Sequence, residues 1–238
     1  MAGHSKWANI KHKKAKEDAK KGQVFTKISK EISVAAKQGG DPAMNPRLRL
    51  LIEKANAANM PKENVLRAIK KGTGELPGVN YEPMTYEGYG PGGIAILVET
   101  LTDNKNRTVA EMRTLFSRNG GNLGESGTVN WMFEKKGVIH AKNNTNKSED
   151  ELLEALIDFE IEDIKIEDGI AIITTSFDSL GQVRDTVAQL GLTIQEAELE
   201  WLPKNTMAVS EEDQDKAISF LETLDDHDDV QHVFTNME

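Results

Sequence analysis

The sequence TGELPGVNYEP, residues 73–83, separates two parts of the chain that differ in charge and in predicted structure. Its glycines, prolines and asparagine favour turns over regular helices or strands. Residues 1–75 contain 17 Lys and Arg against 7 Asp and Glu, whereas the rest of the chain contains 12 against 32. We therefore interpret this stretch as a linker between a basic helical domain, residues 1–77, and an acidic region that starts at residue 84.

The basic part is predicted to be helical throughout. Apolar residues recur at helical spacing in residues 24–36, 46–55 and 61–72, and Asn45 is expected to cap the second of these helices. Residues 8–21 are instead rich in alanine and lysine, with almost no apolar stripe to bury. We expect that first segment to be an exposed helix.

Beyond the linker, helix and strand patterns alternate, and together they suggest two ferredoxin-like domains of the β-α-β-β-α-β type. The elements before residue 134 are too few to close such a domain, so the C-terminal helix and strand are expected to complete it. We predict a discontinuous αβ domain of residues 84–133 and 206–238, with residues 134–205 inserted as a second αβ domain. The predicted fold class is α+β, with the helical module first and one αβ domain inserted into the other.

Composition excludes several classes of protein. The 238 residues include no cysteine, which removes disulfides, thiolate nucleophiles and zinc–thiolate sites. The longest apolar runs are too short to span a membrane, and the Lys-rich N-terminus lacks the apolar segment of a secretory signal. We expect a cytoplasmic protein with no membrane partner.

Lysines crowd the first thirty residues. A solvated helix face is the ordinary explanation, but lysines surround a helix that has no apolar face, which favours contact with nucleic acid. Lysine binds phosphate as a point charge, so we expect contact with the backbone more than reading of bases. The candidate nucleic-acid-binding residues are Lys6, Trp7, Lys11, His12, Lys13, Lys14, Lys16, Lys20, Lys21 and Lys27.

Trp7 has two interpretations that the sequence leaves open. Its indole would stack on a base if exposed, or it would anchor the basic segment on the helical core. A second polyanion contact is suggested by Lys105 and Arg107 at a strand-to-helix junction, with Tyr89 from a glycine-rich loop nearby. A capping box at Thr108 is predicted to start the helix at that junction, and ordinary loop chemistry is the simpler explanation of these residues.

Other motifs argue against catalysis. A G-x-G-x-x-G pattern at residues 88–93 precedes a predicted strand, whereas a dinucleotide site requires it to follow one. Residues 225–229, DDHDD, could hold a hard cation, but their spacing is irregular and we expect an exposed acidic turn. The chain has no G-x-S-x-G, P-loop or H-E-x-x-H motif. We expect no enzyme activity, no cofactor, no metal and no small-molecule substrate.

Several stretches resemble the YebC family along the whole chain. They are MAGHSKWANIKHKK at residues 1–14, GGDP at 39–42, NPRL at 45–48, YEGYGPGG at 86–93, residues 103–113, and GGNLG at 120–124. The resemblance implies a bacterial cytoplasmic protein of three domains with a non-enzymatic role in gene expression.

What the family implies about the partner is divided. Its label, probable transcriptional regulatory protein, implies DNA binding. It also includes the mitochondrial translational activator of cytochrome c oxidase, and bacterial members are linked to ribosomes stalled on proline runs. Two hypotheses follow, a DNA-binding transcription regulator and a ribosome-associated translation factor that contacts rRNA or tRNA. A third, from the residues alone, is an acidic protein-interaction module with no nucleic-acid role.

Overall fold

The structure is a computed structural model that describes Trp7 and residues 21–238. The chain divides into two compact units, residues 1–132 with 203–238, and residues 133–202. In chain order the described elements are α1 (Lys21–Ala36), α2 (Pro46–Ala57), α3 (Lys62–Thr73), β1 (Glu82–Tyr89), β2 (Ala95–Thr102), α4 (Lys105–Arg118), β3 (Asn122–Leu123), β4 (Phe133–Lys142), α5 (Glu149–Ala155), β5 (Ile161–Glu167), β6 (Ile170–Thr175), α6 (Leu180–Gln189), β7 (Thr193–Pro203), α7 (Glu211–Asp225) and β8 (Val230–Thr235).

Helices α1, α2 and α3 form the helical module around a small apolar core. Asn45 caps α2 as the sequence predicts, because its side-chain oxygen accepts a hydrogen bond from the Leu48 amide at 3.0 Å. The buried core residues are Ile28, Ile32, Ala35, Ala36, Leu48, Ala55, Met60, Val65 and Ala68.

Helix α3 runs past Gly72, where its end was predicted, and stops at Gly74, which is left-handed with φ 83°. Gly72 has a packing role instead. A Cβ added there would lie 2.3 Å from the carbonyl oxygen of Ser33, so only glycine lets α1 and α3 approach this closely. Across the same contact, the Ser33 hydroxyl donates to the carbonyl of Ala68 at 3.0 Å.

The first sheet is antiparallel, with strand order β3-β1-β2-β8. Helices α4 and α7 contribute to the same core as its strands, and the rings of Phe116 and Phe220 meet edge to face with centroids 5.0 Å apart. The backbone amide of Lys204 donates to the carbonyl of Met132 at 2.9 Å, so the two chain crossings between the units are held side by side.

Strand β1 covers residues that the sequence assigned to the linker and to a glycine-rich loop. It pairs with β2 from Glu82 opposite Thr102 to Tyr89 opposite Ala95. Gly88 makes this segment look like a loop in the sequence. Glycine is required there because a Cβ would lie 2.6 Å from the ring of Phe116. The first αβ domain therefore has the element order β-β-α-β-α-β, which differs from the predicted β-α-β-β-α-β.

Glu87 holds the loop that follows β3 against β1. Its buried carboxylate accepts backbone hydrogen bonds from Gly127, Val129 and Asn130 at 2.8–2.9 Å. Burial alone would raise the pKa of Glu87, but these three bonds outweigh it and lower that pKa. A short 3₁₀ turn at Asn130–Met132 follows this loop and leads directly into β4.

Helix α4 starts three residues before the predicted cap. Asn104 caps it, with its side-chain oxygen accepting from the Arg107 amide at 3.1 Å. Thr108, the expected cap, is fully buried, and its hydroxyl is hydrogen-bonded to Thr102 at 2.7 Å.

The second unit has the predicted β-α-β-β-α-β order and a sheet of order β5-β6-β4-β7. Ser148 and Glu151 form the capping box that starts α5. The buried core residues are Ile139, Ala141, Leu152, Leu156, Ile164, Ala171, Ile173, Leu180, Val183, Val187 and Leu192.

The predicted fold class is confirmed, since a helical module precedes two αβ domains and one of these is inserted into the other. The domain bounds 1–77, 84–133 with 206–238, and 134–205 stay a prediction. Among the described residues, no helix is both long and apolar enough to cross a membrane.

Candidate nucleic-acid interface

Most of the N-terminal candidate residues lie outside the described part of the chain. Of those inside it, Lys21 is exposed at the start of α1, while Trp7 and Lys27 contact the first αβ domain. The candidates outside the described residues are Lys6, Lys11, His12, Lys13, Lys14, Lys16 and Lys20.

Trp7 is buried in the core of the first αβ domain. Its side chain is 3% exposed, and the indole Nε1 donates to the carbonyl of Val233 at 3.0 Å. Stacking on a base requires an exposed indole, so this arrangement fits the anchoring interpretation. The anchor differs from the expected one in its position, because the indole packs with the αβ core and not with the helical core.

Helix α1 uses two of its lysines to hold the turn between α7 and β8. Lys27 pairs with the Asp225 carboxylate at 3.1 Å, and Lys30 pairs with the Asp229 carboxylate at 2.9 Å. The Lys30 ammonium also donates to the carbonyl of Asp228 at 2.7 Å. These cations join the helical module to the αβ domain, and their charge is largely neutralised there.

Asp229 is the centre of a buried polar network. Its carboxylate accepts hydrogen bonds from Lys30 at 2.9 Å, from Arg107 at 2.8 Å and from Thr108 at 2.8 Å. Burial alone would raise the pKa of Asp229, but these donors outweigh it and hold that pKa well below its usual range. The carboxylate is therefore charged and structural.

This network corrects the expectation of an exposed acidic turn, because Asp229 is only 3% exposed. The ligand atoms of Glu111, His227 and Asp229 lie within 4.8 Å of one another, as in a cation site. However, both Asp229 oxygens already accept hydrogen bonds from protein donors, and His227 Nε2 lies 3.0 Å from Glu111. Pairing among protein groups explains the cluster without a metal.

A second buried carboxylate, Glu31 on α1, joins the module to β8. It lies 3.5 Å from the Lys54 ammonium and 3.3 Å from the His232 ring. Burial alone would raise the pKa of Glu31, but Lys54 and His232 outweigh it and bring that pKa down to about 2. The group gains a proton on unfolding at any pH between about 2 and its ordinary value of 4.5.

Stability should therefore fall as the pH is lowered through this window. A carboxyl with a depressed pKa stabilises the folded state above the unfolded-state value, and this group alone contributes a slope of about 1.4 kcal/mol per pH unit below it. Urea titrations between about pH 5 and pH 2.5 should show a shallower acid loss for Glu31→Gln than for the wild type. Glu63→Gln, an exposed change on α3, should keep the wild-type slope, and equal slopes for Glu31→Gln would contradict the assignment.

The proposed second contact is occupied by carboxylates of the chain itself. Arg107 pairs with Asp229 at 2.8 Å and with Asp103 at 2.9 Å, and these two carboxylates raise its pKa. Lys105 pairs with Glu82 across the surface. Tyr89 is 36% exposed at the end of β1. The two cations at this junction therefore have internal partners.

A groove between α1 and α3 has the character expected of a phosphate site. Its volume is about 420 Å³, within the range of small-ligand pockets. Among the described residues that line it, three are basic and none is acidic. The lining residues are Gly22, Phe25, Thr26, Ser29, Lys30, Ser33, Asn64, Arg67, Ala68, Lys71 and Tyr81.

The α3 wall of this groove supplies the accessible cations. Arg67 and Lys71, one helical turn apart, are exposed, and Lys70 stands beside them. Within the described part of the chain, none of the three lies within ion-pair distance of a carboxylate. Thr26 and Ser29 place hydroxyl groups on the α1 wall, and the Thr26 hydroxyl donates to the carbonyl of Gly22 at 2.9 Å. Cations that have no carboxylate partner among the described residues therefore line the same groove as hydroxyl groups, an arrangement suited to phosphate oxygens.

Family models match nearly the whole chain. Residues 5–75 match the model described as the TACO1/YebC protein N-terminal domain, and residues 81–237 match the model of the TACO1/YebC second and third domain. The chain belongs to the TACO1/YebC family. The resemblance expected from the sequence motifs is confirmed.

Similar TACO1/YebC proteins carry a common description. Proteins described as probable transcriptional regulatory proteins from Dictyoglomus turgidum and Thermotoga maritima are 53% and 51% identical over the whole of this chain, which covers 96% and 94% of them. The crystal structure of a conserved hypothetical protein from Aquifex aeolicus is 47% identical, with a TM-score of 0.89. That match covers 98% of this chain and 97% of the other.

The sequence motifs did not single out the groove residues. Arg67 and Lys71 belong to a helix that is predicted from its apolar residues alone, and Thr26 and Ser29 belong to no motif. Spacing offered one signal, since Arg67 and Lys71 are four residues apart and therefore share one side of α3.

Proposed function

We propose that this protein regulates gene expression by binding the phosphate backbone of a nucleic acid with its helical module. The observation that carries the proposal is the α1–α3 groove, in which Arg67 and Lys71 have no carboxylate partner among the described residues. The groove begins at Gly22, directly after the Lys-rich segment in sequence. The ligand that contacts the groove would therefore also be offered the lysines that precede it in sequence.

The charge of the remaining chain supports the same orientation. The acidic part would repel a polyanion, so the ligand should approach the helical module. The description of the relatives as probable transcriptional regulatory proteins agrees with a nucleic-acid ligand. The proposal includes no enzyme activity and places the role in the cytoplasm.

Neutralising the groove should weaken binding to all sequences alike. Arg67→Ala combined with Lys71→Ala removes two phosphate contacts, so the log–log salt slope for duplex DNA should fall by about 2. Affinity at ~0.1 M salt should drop by about tenfold or more. Fluorescence anisotropy with labelled duplex DNA and hairpin RNA measures both quantities.

Lys142→Ala with Lys147→Ala is the matched control, since it makes the same change in net charge on the inserted domain. It should leave the slope unchanged. Equal slopes for the groove variant and the wild type would contradict the proposal.

The class of nucleic acid is decided by competition. Co-sedimentation with ribosomes that resists excess duplex DNA would identify a translation factor bound to rRNA or tRNA. Complete loss of pelleting to one DNA sequence would identify a transcription regulator. If the protein binds neither RNA nor DNA, even at low salt, the nucleic-acid proposal is contradicted and the acidic interaction module is favoured.

A further inference from the structure

The inserted domain exposes large apolar side chains that its own core does not use. Ile157 is 77% exposed, Phe177 is 54% exposed and Leu153 is 50% exposed, and we name these three residues the inserted-domain patch. Their sequence neighbours Leu152 and Leu156 are fully buried in the core. Grouped apolar exposure of this kind is typical of interaction sites.

The fold brings two of these residues to the same end of the domain. Strands β5 and β6 pair with Ile161 opposite Thr175, which places the turn before β5 beside the turn after β6. The Glu160 carbonyl accepts hydrogen bonds from the Thr175 hydroxyl at 2.8 Å and from the Ser176 amide at 3.3 Å. Ile157 lies in the first turn and Phe177 lies in the second. Leu153 is one helical turn before Ile157.

The surroundings of the patch are acidic. Residues 148–164 contain eight Asp and Glu and no Lys or Arg, and residues 133–202 as a whole carry sixteen acidic against six basic residues. Several of these carboxylates are exposed and, within the described structure, have no ion-pair partner. Those nearest the patch in sequence are Asp150, Glu154, Asp158, Glu160 and Asp178.

We propose that the inserted-domain patch docks a basic, amphipathic segment of another protein. Apolar side chains of the partner would cover Ile157 and Phe177, while its Lys or Arg residues would pair with the acidic rim. A nucleic acid is disfavoured by charge repulsion, and the same patch of a second copy is disfavoured for the same reason. The protein would then hold a nucleic acid with one domain and a basic protein with another.

A synthetic helical peptide of leucine and lysine, with all leucines on one face, is the probe. The full-length protein should bind it, and Ile157→Ser with Phe177→Ser should raise the dissociation constant by about tenfold or more. Leu66→Ser with Val79→Ser is the matched control. It removes two exposed apolar residues outside the inserted domain and should bind the peptide like the wild type. Fluorescence anisotropy measures all three.

Each other outcome overturns the proposal. Equal binding of a peptide with the same composition in scrambled order would show attraction by charge alone. Unchanged binding by the patch variant would place the contact elsewhere. A dimer in analytical ultracentrifugation that is lost in the patch variant would identify a second copy as the occupant. Nucleic-acid binding by the patch variant should equal that of the wild type, which separates this test from that of the proposed function.

Discussion

Asp229→Asn is expected to lower the free energy of unfolding by about 3 kcal/mol, the usual cost of breaking a buried ion pair by removing one partner. The side chains of Lys30 and Asp229 are 9% and 5% exposed, so the remaining ammonium would stay buried without its counter-charge. Arg107 would lose a partner at the same time. The helical module and the αβ domain would then be joined far less firmly.

Urea denaturation measures this loss, and Asp228→Asn is the matched control. Asp228 is the adjacent residue of the same turn, but its side chain is exposed, so its variant should lie within about 0.5 kcal/mol of the wild type. Similar values for the two variants would show that the Asp229 network does not hold the helical module and the first αβ domain together. Lys30→Met with Asp229→Asn should be less destabilised than the sum of the single changes.

Trp7→Ala is expected to cost about 3–5 kcal/mol, because it empties a large volume in the αβ core. It also leaves the Val233 carbonyl without its donor. Trp7→Phe should retain much of the packing and lose chiefly the hydrogen bond, about 1 kcal/mol. Thermal and urea unfolding measure both differences.

Trp131 provides the control for this change. Its side chain is 64% exposed, so Trp131→Ala removes the same chemical group without opening a core cavity and should cost less than about 1 kcal/mol. If Trp7→Ala were as mild as Trp131→Ala, the indole would not be anchored in the core. That result would favour the other interpretation of Trp7, in which an exposed indole stacks on a base.

The helical module could be predicted because its signals are local. Asn45 and the apolar residues of α1 act within a turn or two of the chain, and the structure follows them. Strand β1 could not be read in the same way. Its residue Gly88 is required by the ring of Phe116, which is far away in sequence, so a position that looks like a loop is a packed strand.

The charge pattern of the sequence was the poorest guide to which cations are accessible. Lys27 and Arg107 remain predicted contact residues, and each is ion-paired with a carboxylate more than a hundred residues away in sequence. A count of charges does not distinguish such pairs from accessible cations, because pairing depends on tertiary contacts. Arg67 and Lys71 are the opposite case. The buried apolar residues of α3 are enough to explain why that helix forms, so the helix pattern gives no reason to single out these two accessible cations.

The backbone hydrogen bond between Met132 and Lys204 holds together the two points at which the chain passes into and out of residues 133–202. The chain ends that would remain after removal of residues 133–202 are therefore already close together. A short peptide in place of those residues would be enough to connect them. Deletion or replacement of the inserted domain would leave the strands of the first sheet unchanged, because none of them comes from residues 133–202.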